Sequence, residues 1–152
     1  MDVPQVDAPI AVRLADSGSL FELWEGPDNA TMRLDWTRKG AVRFTVSGHG
    51  NAGFAAPAIA RWDAARRSGS RPVNLIDFWD MATYDSGLRV QCTAWGVKHR
   101  ADADFFVCTR SRIVLMGLAV ANLATGGLLK VHEKRPEFDA LCVKHGLPSR
   151  IK

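Results

Sequence analysis

Three carboxylates and a serine hydroxyl crowd a single short stretch. Residues 72–88 read Pro-Val-Asn-Leu-Ile-Asp-Phe-Trp-Asp-Met-Ala-Thr-Tyr-Asp-Ser-Gly-Leu. Asp77 ends an apolar run, Asp80 follows in a loop, and Asp85-Ser86-Gly87 opens a helical pattern. The first N–H groups of a helix lack intrahelical partners and favour negative charge. A serine placed there has two possible roles. As an N-cap it satisfies one orphan N–H and contributes about 1 kcal/mol. If Asp85 caps instead, the Ser86 hydroxyl is left exposed in the first turn as a phosphoacceptor candidate. Phosphorylation would then add roughly two negative charges at the favourable end of the helix dipole.

Other chemistries find less support. Asp77, Asp80 and Asp85 could in principle hold Mg²⁺ or act as general acids. Loop carboxylates that bond local N–H groups are the plainer account. No nucleophile–base pair is visible, so no catalytic residue is assigned and a non-enzymatic protein is expected. His49, His99, His132 and His145 have no ligand spacing, so neither a metal nor another cofactor is expected. Gly48-His49-Gly50-Asn51-Ala52-Gly53 lacks the Lys-Ser/Thr ending of a phosphate-binding loop and reads as a flexible turn. Trp79, placed just after Asp77, is a natural contact anchor. Asp77, Trp79, Asp80, Thr83, Asp85, Gly87 and Arg89 together make a partner-contact surface, with residues 48–53 beside it.

Elements that position this stretch follow from the pattern. Leu20-Phe21-Glu22-Leu23-Trp24 is a strand stopped by Gly26-Pro27-Asp28. Residues 31–36 and 41–46 alternate apolar and polar around Arg38-Lys39-Gly40, which predicts an antiparallel hairpin with one wet face. From Phe54 the period becomes helical, and Ser68-Gly69-Ser70 ends it. Residues 73–78 and 105–108 are strands covered on both faces. A helix over residues 86–99 lies between them. Residues 113–124 form a helix apolar almost all round, expected to be deeply packed. Residues 129–132 are a last core strand, and residues 136–144 a final helix. The alternation predicts an α/β fold: a mixed sheet with an antiparallel leading hairpin and crossover helices. Residues 1–18 read as a loose lead-in that could add an edge strand, 19–146 as one domain and 147–152 as a tail. Leu20 to Trp24 could itself be an exposed edge that pairs with a second copy.

Composition bounds the class. A chain of 152 residues with 47% hydrophobic and 24% charged residues suits one globular domain. The net charge of +4 is scattered, without the basic stripe and interleaved aromatics of nucleic-acid binding. Cys92, Cys108 and Cys142 lie among apolar neighbours and read as reduced thiols, which fits a cytoplasmic location. No signal peptide or membrane-spanning run is seen.

With those elements in place, the chain resembles the STAS family, the sulphate-transporter and anti-sigma-factor-antagonist domains. The family's apolar-Asp-Leu-Ser strand is matched by Leu75-Ile76-Asp77-Phe78. Its apolar-Asp-Ser-Ser/Thr-Gly-Leu helix start is matched by Tyr84-Asp85-Ser86-Gly87-Leu88, at the usual interval. Val46-Ser47-Gly48-His49-Gly50-Asn51 resembles its turn before the first helix, with Asn51 where Asp is common and Gly50 in an apolar position. The likeness spans roughly residues 30–145, and element order carries most of it. Regulatory members have two hydroxyl residues before the glycine, the second being phosphorylated. Without a gap, Ser86 takes the first position and Gly87 the acceptor's. With one residue deleted, Ser86 is the acceptor. The resemblance implies a STAS-like fold and a bacterial signalling or scaffold domain, possible as an anti-sigma-factor antagonist with an anti-sigma-factor or kinase-like protein partner. The alternative is a small-ligand or lipid-binding domain with an apolar cavity under helix 113–124. A closed core with Trp79 and Ser86 exposed favours the first, and an apolar pocket lined by that helix favours the second.

Overall fold

The computed structural model describes residues 11–14, 20–69 and 71–149, the first four by backbone alone. Four antiparallel strands lead: β1 (Ala11–Leu14), β2 (Leu20–Glu25), β3 (Thr31–Trp36) and β4 (Ala41–Gly50). Alternation sets their register. Met32, Leu34, Val42, Phe44 and Val46 all point to one buried face. Asp28 and Asn29 turn β2 into β3 in the left-handed region, at φ 59° and 62°. Short polar side chains tolerate that region best after glycine.

Parallel crossovers follow. The chain runs through α1 (Ala55–Arg67), β5 (Val73–Asp77), β6 (Met81–Tyr84), α2 (Ser86–His99), β7 (Asp104–Cys108), α3 (Arg112–Ala124), β8 (Leu129–His132) and α4 (Arg135–Lys144). The sheet order is β1-β2-β3-β4-β5-β7-β8, with β6 beside the far end of β4. This is the mixed α/β architecture that the alternation predicts. One face carries the larger core, where Trp62 of α1, Trp95 of α2 and Val114 of α3 pack on Phe44, Ile76, Phe105 and Val107. The other face is covered by α4, whose Phe138 and Cys142 meet Ala41, Leu75 and Cys108.

Several expectations are corrected. Residues 47–50 are strand, not loop, because β4 continues past β5 and pairs with β6. Residues 81–84, read as loop, are β6 itself. Together β5 and β6 make one interrupted line along β4. Leu20 to Trp24 is not an edge, since β1 pairs along it over Leu20 to Leu23. Residues 1–10 and 15–19 of the expected lead-in lie outside the described residues, and residues 11–14 form this edge strand. The last strand, β8, pairs only with β7 among the described residues and closes the opposite edge.

The helix over 113–124 is not deeply packed all round. Val114, Gly117 and Ala121 face the core, while Ile113, Met116, Val120 and Leu123 are exposed, Leu123 at 85%. An all-apolar helix carries no period that says which side is covered. The expected tail at 147 also belongs to the fold. Leu147 is buried in the second core, and Arg43 Nη1 donates to the Pro148 carbonyl at 2.6 Å.

Candidate functional site

The residues singled out around 77–89 fall into three places. The first is a rim where β4 and β6 end and α2 begins. A bulge at Gly48/His49, with Gly48 at φ 85°, turns His49 toward β6. His49 Nδ1 lies 2.7 Å from Thr83 Oγ1, and Nε2 lies 2.7 Å from Asp85 Oδ1. With the ring neutral, Nε2–H donates to the carboxylate and Nδ1 accepts from the Thr83 hydroxyl. Asp85 Oδ2 accepts from the Ala52 N–H at 2.9 Å. The hydrogen bond from His49, then that from Ala52, holds the Asp85 carboxyl below its ordinary value despite some desolvation. Sequence spacing did not reveal this hydroxyl–imidazole–carboxylate array, because 34 residues separate His49 from Thr83. Neither His49, Thr83 nor Asp85 lines the cavity described below. The array ties the end of β4 to β6 and to the start of α2.

Asp85 occupies the N-cap position, but its carboxylate bonds across to His49 and Ala52 rather than back into α2. Ser86 is therefore not the cap. It is the first residue of α2 and is exposed. Gly87 follows in a crowded place, where a Cβ would lie 3.0 Å from Ala52 Cβ. A side chain there would push on the short helical turn Ala52–Phe54.

The second place is the α4 side of the sheet. Asp77 is 1% exposed and receives both Arg135 Nη1 and Nη2 at 2.9 Å. Arg135 also donates to Asp139. Asp77 thus anchors α4 and does not face a partner. Trp79 is half-buried against the second core, with the guanidinium groups of Arg110 and Arg135 5.4 and 6.0 Å from a ring centroid. The expected free anchor is partly engaged within the chain. Asp80 is exposed and paired with Arg110 at 3.0 Å.

The third place is a cavity between α2, α3 and the sheet. Phe44, Ile76, Phe105 and Val107 form its floor; Leu88 and Cys92 of α2 and Val114 and Leu118 of α3 form its walls. Its volume is about 70 Å³, and it opens to solvent at a mouth. That holds a short apolar group and is well below the several hundred Å³, roughly, that bury a drug-sized ligand. Gly96 of α2 and Gly117 and Ala121 of α3 also line it, and Gly117 lies against Tyr84. Desolvation pushes the Cys92 thiol up to about 12, so it is an inert apolar wall. Arg89, expected in the contact surface, lines this cavity instead. Its Nε is out of water and has no hydrogen-bond partner.

Among the described residues no three His, Cys, Asp or Glu side chains converge as metal ligands. No helix among them is long and apolar enough to cross a membrane. No protein-family model matches the chain, and no curated protein does. Among solved structures the chain is similar to an uncharacterised protein of the DUF3478 family from Shewanella loihica PV-4, described as having a SpoIIAA-like fold. The two are 16% identical with a TM-score of 0.41, over 90% of this chain and 93% of that one. At that distance the likeness reaches neither the site residues nor a function.

Proposed function

We propose that this chain is a non-enzymatic binding domain that takes a small apolar or amphipathic molecule between α2, α3 and the sheet. The cavity carries this reading. Its walls are apolar side chains, and its mouth admits a short apolar group. Empty apolar space forfeits dispersion contacts that a ligand would restore. The test is binding of hexanol, followed by calorimetry and intrinsic tryptophan fluorescence. Saturable binding that Ala121→Phe abolishes, in a variant that still folds, is the expected result. Binding unchanged in that variant would place the ligand elsewhere and sink the idea.

A second reading has its own support, the exposure of Ser86 in the first turn of α2. Here the rim around Thr83, Asp85, Ser86 and Gly87 contacts a protein partner such as an anti-sigma factor or kinase-like protein. Phosphorylation of Ser86 then repels that partner, since added negative charge is tolerated by the helix but not by a surface fitted to a neutral patch. Mass spectrometry of the protein from its native cells would show phospho-Ser86. Partner capture equal for wild type and Ser86→Asp would end this reading.

A further inference from the structure

We infer that the cavity's ligand carries a carboxylate head that pairs with Arg89, its apolar tail lying between α2 and α3. The inference rests on the cavity being a binding site and names the chemistry of what enters it. Arg89 is the one charged residue among the described residues that line the cavity, and no Asp or Glu lies among them. Its Nε is shielded from water and unpartnered. An unpartnered buried donor is costly, and a charged one more so.

The local setting sharpens the point. Arg89 is the fourth residue of α2, within its first turn. A cation there opposes the helix dipole, whereas an anion is favoured. A bound anion would therefore relieve two unfavourable features at once: the unpartnered Nε and the cation at the wrong helix end. A planar guanidinium fork matches a carboxylate, with two parallel hydrogen bonds. Apolar walls screen such a pair less than water would. The rest of the cavity offers little to a polar molecule. Its other polar side chains include Thr93 and Thr125, and the Thr125 hydroxyl is already bonded to the Ala121 and Asn122 carbonyls. One cation and an apolar bed define a monoanionic amphiphile.

The experiment compares hexanoate with hexanol, which share a tail and differ in the head. Both are titrated by calorimetry into wild type, Arg89→Met, Arg89→Lys and Ala121→Phe. Wild type is expected to bind hexanoate about tenfold or more tightly than hexanol. Arg89→Met should lose that preference. Arg89→Lys keeps the charge but not the fork, so its preference should fall severalfold; this variant decides the matter if Arg89→Met does not fold. Equal affinity of wild type for the two probes, or a preference that survives either Arg89 change, overturns the carboxylate assignment. Loss of hexanol binding in Ala121→Phe would then still support the cavity. Failure of wild type to bind either probe overturns both readings.

Discussion

At the scale of single residues, two titrating groups make the fold sensitive to pH in ways that can be separated. Asp85 is held below its ordinary carboxyl value of 3.8 by His49 and by the Ala52 N–H. Its folded value is depressed, so its contribution is present above 3.8 and is lost as pH falls through the folded value. Denaturant melts in that acid range should show a loss that Asp85→Asn lacks. His99 behaves differently. It is buried against Trp95, and burial, then the nearby Arg66 and Lys98 charges, pushes it below its ordinary 6.5, against the opposing pull of Asp63 and Asp102. Arg66 Nε donates to its Nδ1 at 3.0 Å, as a neutral ring requires. Below 6.5 the unfolded chain takes up a proton that the folded chain refuses, so stability should fall as pH drops through that value. His99→Phe should remove this step, and melts at mildly acid and neutral pH would show it. The candidate residues were readable as types in the sequence. Which of them meet was not, because His49, Thr83 and Asp85 come together only through β4–β6 pairing.

At the scale of elements, the docking of α3 and α4 can be tested by single changes. Gly117 of α3 lies against Tyr84, and a Cβ there would overlap the tyrosine hydroxyl and sit 2.7 Å from Cζ. Gly117→Ala should destabilise by about 1–3 kcal/mol through overpacking. Tyr84→Ala in the same chain should recover part of that, and thermal melts of the single and double variants check it. On the other face, Arg135→Met would leave Asp77 charged, buried and without this partner. A loss of about 3–5 kcal/mol is expected, measured by denaturant unfolding. Pairing it with Asp77→Leu should restore much of the stability, because the buried carboxylate and its guanidinium are then removed together. These elements were largely legible: α1, α2, β5, β7 and α4 lie close to where period and punctuation put them. β6 was not, since four residues of mixed polarity gain strand character only from the end of β4.

At the scale of the whole molecule, the division into an inner and an outer apolar set is the main structural fact. Leu147 and Leu123 are both leucines near element ends, yet one is 1% and the other 85% exposed. Leu147→Ala should cost about 2–5 kcal/mol, as a large-to-small change in a packed core. Leu123→Glu should stay within about 0.5 kcal/mol of wild type in the monomer. Comparable losses for the two in equilibrium unfolding would contradict this assignment of faces. The same division separates the two functional readings. The cavity lies inside the face built by α1, α2 and α3, whereas Ser86 stands on the rim.

The sequence by itself determined the class of fold, because alternation, helical period and turn residues are local properties. It determined the strand-to-helix junction at Asp85-Ser86-Gly87 for the same reason. Tertiary structure alone decided what each singled-out residue does. It turned Asp77 into a buried anchor for α4, since Arg135 is brought to it from 58 residues away. It moved Arg89 from the expected contact surface to the wall of a cavity. It exposed one side of α3, because burial depends on what packs opposite and an evenly apolar helix does not encode that. The chemistry first read in residues 72–88 is thus shared among a rim, a buried ion pair and a cavity wall, three settings that chain order places side by side.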